Sequence, residues 1–454
     1  MFNAGDMIIL VSVLLALVFC GIHIAVSLGI TSMLGIYLIN GDIETVKSFT
    51  ANTAYEALRD YVFAVIPLFM LMGEFLAKCG AARDLYALLN RLLKWVPGRL
   101  GVATVLANAV FAFVTGVSIA AAATFSKIAY PEMRRFGYER KFALGCIAGS
   151  ACLGMLIPPS VLMIVWGVLT EISIGKLFIA GIVPGFILVA FYILYIIGVA
   201  KFTPARVGEG PNLPAIQAEA RLANDAFADV DLKTILWSTA GIIALVTLVL
   251  GGIWLGYFTP TEGAGVGAAL SLLLAMMRGM KAQEMLDAIL SVGRTSAPLL
   301  LLLVTAQLYS RILSMTGITG ATQDFFLKSG LSPYVILGLM ILVWLALGCV
   351  IDSISIILLT VPVFAPLAVA LQFDPIAFAI LGIIAIEVGL LTPPFGILVF
   401  TVRSAVPNEK GLTTGEIFSG SVAYWVALLG VVLVLIIFPQ VATWLPNLSN
   451  AVAQ

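Results

Sequence analysis

The chain has 454 residues, of which 61% are hydrophobic and only 11% are charged, a composition typical of an integral membrane protein. Lys and Arg together number 24, as do Asp and Glu, so no net charge favours nucleic acid as a partner. The single histidine, His23, excludes a histidine-based metal cage, and the absence of a Walker A motif argues against transport driven by ATP on this chain.

Apolar stretches recur from end to end, and they are long enough to cross a bilayer, which takes about 20 helical residues. They predict spans near 7–39, 61–78, 142–170, 177–200, 235–257, 260–278, 286–315, 375–403 and 418–446. The polar stretch 201–234 is predicted to be a cytoplasmic linker. With basic residues on the cytoplasmic side, this order puts the N-terminus in the cytoplasm and the C-terminus in the periplasm.

The stretch 100–126 is apolar but rich in Gly, Ala, Ser and Thr. Basic clusters flank it on both sides, namely Lys78, Arg83, Arg91, Lys94 and Arg99 before it and Lys127, Arg134, Arg135, Arg140 and Lys141 after it. A full crossing would put these clusters on opposite sides of the membrane. We therefore predict a re-entrant helical hairpin that enters and leaves from the cytoplasm, with its tip near residues 115–118.

A double proline interrupts the next span, and the same pattern returns in the second half of the chain. Residues 154–159 read Gly-Met-Leu-Ile-Pro-Pro, and residues 389–394 read Gly-Leu-Leu-Thr-Pro-Pro. Two consecutive prolines block the preceding helix, and in hydrocarbon such a break survives only where protein buries it or where it lines a cavity. The spans 142–170 and 375–403 are thus predicted to be broken helices, as at transporter binding sites, so we expect a chain that moves a solute rather than an enzyme.

The two halves repeat at a constant offset of 235 residues. Pro131 and Pro158 are 27 positions apart, as are Pro366 and Pro393. The counterpart of this hairpin in the second half, at 333–371, has few basic residues near it. Its flanks are therefore predicted to be extracytoplasmic. The predicted fold is an all-α polytopic membrane protein, an inverted repeat with two re-entrant helical hairpins and two Pro-Pro-broken helices.

The first candidate site joins the tip of the first hairpin to the first broken helix. Glycines let backbone carbonyls turn toward a ligand, and Ser and Thr hydroxyls add neutral oxygens, a set that suits a small hard cation such as Na⁺. The alternative is that these small residues only allow close helix packing. The predicted sodium ligands are Thr115, Gly116, Ser118, Gly154 and Pro158.

The second candidate site joins the other hairpin tip to the second broken helix. Asp352 lies in a strongly apolar run, and an ionisable residue there is a functional candidate by default. It has three alternative roles, which are binding a cation, carrying a coupling proton and capping a half-helix. The predicted ligands are Asp352, Ser353, Ser355, Gly389 and Thr392, and the solute is predicted to lie between the two sites, against Ser118, Pro159, Ser160, Ser355 and Pro394.

Four further charged residues lie at membrane depth. Glu74 precedes Lys78 by one helical turn, which predicts a surface pair. Glu262 follows Thr-Pro-Thr and is expected in the first turn of a helix, where a negative charge is favoured. Arg311 either meets an organic anion or extends toward the interface. Glu387 has no predicted role.

Together these motifs resemble the large membrane (M) subunit of tripartite ATP-independent periplasmic (TRAP) transporters. The resemblance extends over nearly the whole chain. It rests on residues 66–74, 115–123, 131–133, 154–160, 258–262, 348–352 and 391–394. The tip reads Thr-Gly-Val-Ser, where the family often has more serines.

The resemblance implies a sodium-driven importer of a small organic anion, usually a carboxylate, in the bacterial inner membrane, with no cofactor beyond Na⁺. It implies two protein partners, a periplasmic substrate-binding protein (P) and a small four-helix membrane subunit (Q), which is expected on a separate chain because this one begins with an M-like span. It also implies an elevator-type fold like that of the ion transporter superfamily. The scaffold is then expected at 1–96 and 235–331, and the transport domain at 97–200 and 332–454.

Two other functions remain as alternatives. The first is a stand-alone permease of the divalent-anion/sodium symporter type, which works without a binding protein. The second is an assembly or channel-like membrane subunit whose solute flux is indifferent to a sodium gradient. An intramembrane protease is disfavoured because the chain has neither a Ser–His pair nor a GxGD motif.

Overall fold

The computed structural model describes residues 4–209, 232–406, 409 and 411–452, so most of the predicted linker at 201–234 lies outside the described residues. The described chain forms 21 α-helices, two short 3-10 helices and no strand. The first half contains α1 (Ala4–Phe19), α2 (Ile24–Asn40), α3 (Ile43–Arg59), α4 (Val65–Lys78), α5 (Ala81–Leu92), α6 (Arg99–Thr115), α7 (Ser118–Arg135), α8 (Arg140–Ala151), α9 (Leu153–Leu156), α10 (Val161–Thr170) and α11 (Ile174–Phe202). The second half contains α12 (Leu232–Trp254), α13 (Pro260–Met277), α14 (Ala282–Met315), α15 (Ile318–Lys328), α16 (Pro333–Gly348), α17 (Ser353–Ala370), α18 (Pro375–Leu391), α19 (Ile397–Ala405), α20 (Thr414–Ile437) and α21 (Gln440–Val452).

Eight helical segments of the described chain are long and apolar enough to cross a membrane. They include the broken helix Arg140–Thr170 and the 34-residue α14. The prediction of an all-helical, multi-pass membrane protein is therefore confirmed.

Two of the predicted spans have the wrong extent. The stretch 7–39 is not one span, because α1 ends before Gly21 (φ +77°) and α2 starts again after His23, whose Nδ1 accepts a hydrogen bond from the Ala25 backbone at 3.3 Å. The last span ends at Ile437 rather than near 446. Pro439 disfavours helical backbone in the residue before it, and Phe438 accordingly leaves the helical conformation, with φ −127° and ψ 72°.

Both predicted hairpins are present. In hairpin 1 (α6 and α7) the first arm ends at Gly116, whose φ of +60° is the left-handed conformation that glycine adopts without strain. Its second arm continues to Arg135, beyond the predicted end at 126. In hairpin 2 (α16 and α17) the arms meet at residues 349–352, within the predicted stretch 333–371.

Both broken helices are also present. The first consists of α8, α9 and α10 and is interrupted at residues 157–160, called break 1 here. The second consists of α18 and α19 and is interrupted at residues 392–396, called break 2. The Pro158–Pro159 and Pro393–Pro394 peptide bonds are both cis. The double prolines thus end their helices where the sequence predicted.

The helices pack in two groups. The outer group consists of α2–α5, α13 and α14. In it, α4 lies against α13 and α2 lies against α14. In the hairpin group, which holds both hairpins and both broken helices, α8 lies against α20 and α16 lies against α18. The groups meet where α4 and α5 contact α6 and where α14 contacts α17. The predicted domain boundaries stay a prediction.

Ion pairs between distant parts of the chain brace each group from within. In the outer group Arg278 pairs with Asp84, and Arg311 with Glu56. In the hairpin group, Arg134 pairs with Glu409 at 3.6 Å and Arg140 pairs with Glu416. Arg134 lies in the last turn of hairpin 1 and Arg140 begins broken helix 1, while Glu409 and Glu416 follow broken helix 2, so these pairs join the two halves of the repeat.

The contact between α8 and α20 in the hairpin group depends on glycine. A Cβ on Gly145 would overlap the backbone of Gly420, and one on Gly420 would overlap the carbonyl oxygen of Lys141. Two helix backbones in contact leave no side chain that can move aside. Glycine at these positions is therefore required by packing.

We expect Gly145→Ala to lower the apparent melting temperature of the purified protein in detergent, because overpacking a close contact costs about 1–3 kcal/mol. Gly198→Ala on α11 is the matched control, since nothing lies within 4 Å of a Cβ there. Its melting temperature should be unchanged or slightly higher. Equal melting temperatures for the two variants would contradict this account of the packing.

Candidate functional site

The tip of hairpin 1 lies directly on break 1. The carbonyl oxygen of Gly116 accepts a hydrogen bond from the Val161 backbone at 3.2 Å. A Cβ on Gly154 would come within 3.1 Å of the Ser118 nitrogen, and a Cβ on Gly116 would overlap the carbonyl oxygen of Pro159. The structure thus brings Gly116, Ser118, Gly154 and Pro159 together as the sequence predicted, through contacts between backbones.

Two other predicted residues of the first site use their hydroxyls within their own helices. Thr115 donates to the carbonyl oxygen of Phe111 at 3.1 Å. Ser160 accepts from the Met163 backbone at 3.4 Å as the N-cap of α10 and donates to the carbonyl oxygen of Met155. Pro158, Pro159 and Ser160 are all buried. Both hydroxyls are therefore already engaged, although each oxygen keeps a free lone pair.

At the tip of hairpin 2, Asp352 caps α17. Its Oδ1 accepts from the backbones of Ile354 and Ser355 at 3.1 and 3.0 Å, and its Oδ2 accepts from the Ser355 hydroxyl. Of the three roles left open for Asp352, capping is the one that these contacts describe. A capping carboxylate still has lone pairs for a further ligand, so cation binding is compatible with the cap.

The remaining residues of the second site lie where hairpin 2 meets broken helix 2. A Cβ on Gly348 would come within 2.7 Å of the Gly389 Cα, so the two helices touch through glycine. The Thr392 hydroxyl donates to the carbonyl oxygen of Gly389 at 2.9 Å and lies 3.1 Å from the Cys349 sulfur. Gly389 and Thr392 are thus adjacent, as predicted, on the face that meets hairpin 2.

One further residue, Glu387, links the two tips, and no role was predicted for it. Its side chain is 1% exposed. Its Oε2 accepts a hydrogen bond from the Ser118 hydroxyl at 2.8 Å, and its Oε1 accepts from the Ser353 hydroxyl at 3.2 Å. Two signals pointed to Glu387, namely a charge inside a span and a position two residues before Gly389.

The two breaks differ in exposure. Break 1 is buried throughout, whereas Pro393, Pro394 and Phe395 of break 2 are exposed, and Phe395 is 56% exposed. Pro394 is therefore exposed, whereas its counterpart Pro159 is buried. The two halves of the repeat thus have similar helices, but break 1 is packed inside the protein and break 2 is partly exposed.

The other three charged residues at membrane depth have their polar partners on helices outside the hairpin group. Glu74 pairs with Lys78 at 3.6 Å, as predicted. Glu262 forms a reciprocal capping box with Thr259, which confirms its place in the first turn of α13. Arg311 binds Thr53 at 3.0 Å and Glu56, so its guanidinium is held by α3 rather than extended alone toward the interface.

An apolar helical bundle with two inverted hairpins, each seated on a broken helix, belongs to the class of membrane transport proteins. The family model described as "Tripartite ATP-independent periplasmic transporter, DctM component" matches residues 11–441. The chain belongs to this family, and the predicted resemblance to the large TRAP subunit is confirmed. It is thus a permease component of a transporter that depends on a binding protein.

Relatives with different substrates in their names match over nearly their whole length. The chain is 34% identical to the C4-dicarboxylate TRAP transporter large permease protein DctM of Pseudomonas aeruginosa, over 93% of this chain and 94% of that one. It is 27% identical to the sialic acid TRAP transporter large permease protein SiaM of Vibrio cholerae, over 96% and 97%. It is 26% identical to the ectoine TRAP transporter large permease protein TeaC of Halomonas elongata, over 97% and 99%.

A solved structure supports the fold. The crystal structure of the Alcanivorax borkumensis YdaH transporter, described as having an unusual topology, superposes with a TM-score of 0.63. The match covers 88% of this chain and 89% of that one at 13% sequence identity. At this identity the likeness shows a shared fold and nothing about the solute.

We expect Gly116→Ala to abolish solute uptake by the reconstituted transporter, because its Cβ would displace the hairpin 1 tip from Pro159. Gly279→Ala is the matched control, since Gly279 also has a positive φ (+83°) but nothing lies within 4 Å of a Cβ there. Both variants place alanine at a positive φ, but only the one at Gly116 displaces the tip. Similar uptake by the two variants would show that this contact is dispensable.

Proposed function

We propose that this chain is the large permease subunit of a sodium-coupled secondary transporter that imports a small organic anion, with a carboxylate, across the bacterial inner membrane. The two hairpin tips bind the sodium ions, and the solute lies between them. The observation that carries the proposal is the convergence of both tips on one buried carboxylate, Glu387.

The oxygen chemistry of the tips suits Na⁺. Hydroxyl, carbonyl and carboxylate oxygens are ligands for hard cations, and unwound backbone in broken helices is where transporters hold such ions. In this proposal the first ion is held at Thr115, Gly116, Ser118, Gly154 and Pro158, and the second at Asp352, Ser353, Ser355, Gly389 and Thr392. The positive charge of the bound ions attracts an anionic solute beside them, and this attraction links solute binding to sodium binding.

The solute class is inferred from relatives. The most similar ones named above carry C4-dicarboxylate and sialic acid in their names, and both solutes bear carboxylates. We propose contacts of the carboxylate with Ser118, Pro159, Ser160, Ser355 and Pro394, which flank the two breaks. Ectoine permeases in the same family indicate that the scaffold itself tolerates different solutes.

Three features support movement of the hairpin group as a unit against the outer group, as in an elevator. Ion pairs brace each group internally. The breaks differ in exposure, as alternating access between inverted halves would require. Where α4 meets the hairpin 1 tip, contact is made through Gly73, whose Cβ would lie 3.0 Å from the Thr115 Cα.

The proposed partners are a periplasmic substrate-binding protein and a small four-helix membrane subunit. The isethionate TRAP transporter permease protein DctMQ of Oleidesulfovibrio alaskensis matches 86% of this chain over only 59% of its own length, so the relative carries an additional region. We also propose a periplasmic C-terminus, since Arg134, Arg140 and Arg278 then face the cytoplasm. The predicted cytoplasmic N-terminus required 7–39 to be a single span, and the structure divides that stretch into α1 and α2.

Uptake by proteoliposomes that contain both membrane subunits, supplied with the binding protein, should require an inward sodium gradient. Asp352→Asn should reduce this sodium activation strongly, because it removes the charge at the second tip while Asn still caps the helix. Asp374→Asn is the matched control. Asp374 also caps a helix through two backbone donors, but it lies at the opposite end of α18 from break 2.

Three results would contradict different parts of the proposal. Uptake that is indifferent to the sodium gradient would favour the channel-like alternative. Sodium-driven uptake without any binding protein would favour the stand-alone symporter. Equal sodium activation in the two Asp→Asn variants would leave sodium coupling intact but overturn the placement of the second ion.

Gly73→Leu should lower uptake by about tenfold or more, because overpacking of about 1–3 kcal/mol at Thr115 shifts the equilibrium between positions of the hairpin group. Gly293→Leu, at an exposed glycine of the outer group with open space around it, is the control and should transport normally. Normal uptake by Gly73→Leu would contradict a moving contact at α4.

A further inference from the structure

The bridge through Glu387 joins the two halves of the repeat. Ser118 and Ser353 are related by the 235-residue offset, and each is the first residue of the second arm of its hairpin. Glu387 lies on broken helix 2, yet its hydrogen bond to Ser118 crosses 269 positions of sequence. One carboxylate therefore contacts the same position of both tips.

Hydrogen bonds from the two tips compensate the charge of Glu387. No Lys, Arg or His side chain in the described part of the chain forms an ion pair with it. The N-termini of α7 and α17 carry partial positive charge at Ser118 and Ser353, which favours an anion beside them. A buried carboxylate is retained only where such groups compensate it, so the tips and Glu387 stabilise one another.

The bridge also orients the two serine hydroxyls. A hydroxyl has one proton and two lone pairs, and here each proton is donated to Glu387. The lone pairs of both oxygens are then directed away from Glu387. Carboxylates that accept hydrogen bonds from ligand groups fix the orientation of those ligands in the same way around metal ions.

The repeat is asymmetric at this position. The counterpart of Glu387 at the same offset is Cys152, whose sulfur lies 4.0 Å from the carbonyl oxygen of Glu387. If each half had its own carboxylate, the two sites would be oriented independently. Because a single carboxylate serves both, a change in one hydrogen bond alters the other.

We propose that Glu387 is a positioning residue that couples the two hairpin tips, so that a cation at one tip raises the affinity of the other. A cation at Ser118 polarises its hydroxyl and strengthens the hydrogen bond to Oε2, which orders the carboxylate and with it Ser353. The negative charge between the tips also reduces the repulsion between two bound cations. This inference rests on the proposed sodium-coupled function.

The test is equilibrium binding of radiolabelled Na⁺ to the purified complex of the membrane subunits. Uptake alone does not suffice, because a need for two ions makes uptake sigmoidal even when the sites are independent. Two coupled sites give a Hill coefficient above one, up to about two, whereas two independent sites of similar affinity give about one.

We expect a Hill coefficient above one in the wild type and about one in Glu387→Gln, which keeps the shape of the side chain but not its charge. Glu387→Asp, which keeps the charge but is too short to reach both serines, should behave like Glu387→Gln. Glu262→Gln is the matched control, because it removes a carboxylate from a helix of the outer group and leaves the capping box possible. Sodium-dependent protection against thermal unfolding verifies that each variant is folded.

Three outcomes overturn the inference. A wild-type Hill coefficient of one would show that the tips are independent, and this result needs no variant. An unchanged Hill coefficient in either folded Glu387 variant would make the bridge a structural contact only. Absence of any sodium binding by the wild type would instead overturn the proposed function on which the inference rests.

Discussion

A helix that breaks inside a bilayer releases peptide groups that lipid cannot satisfy, and this constraint determines the centre of the molecule. The double prolines release such groups at residues 157–160 and 392–396; hairpin 1 covers break 1, whereas hairpin 2 packs beside break 2 and leaves residues 393–395 exposed. These contacts are made by backbone, with Gly116 and Gly154 in one half and Gly348 and Gly389 in the other. The hydroxyl and carbonyl oxygens of the tips lie at the breaks because polar groups in the bilayer must be satisfied by other protein groups.

The two halves then depend on each other through a polar contact in an otherwise apolar region. Glu387 receives hydrogen bonds from both tips, and nearer the start of α18 Trp166 of broken helix 1 packs against Trp344 and Phe378 of the second half. On the side of hairpin 1, the pairs Arg134–Glu409 and Arg140–Glu416 make a second link. The hairpin group is thereby joined across the repeat at two places, as the proposed movement as one body would require.

Much of the fold was predictable because its signals are local. Prolines and glycines mark the breaks and tips, the offset of 235 pairs the halves, and Asp352 has the sequence context of a cap. The interruption of 7–39 was missed because His23 lies in a continuous apolar run and caps α2 with a ring nitrogen. The role of Glu387 was missed because its partner Ser118 lies 269 positions away, a contact that no periodic pattern reports.

The central claim is that both tips bind sodium and that Glu387 lies between the ions. An electron cryo-microscopy structure of the complex in saturating sodium, compared with one in potassium, tests it most directly. The account predicts two sodium-dependent densities, one bonded to Ser118 and one bonded to Ser353, with the Glu387 carboxylate between them. Sodium-dependent density away from both serines, or none at either tip, would contradict it.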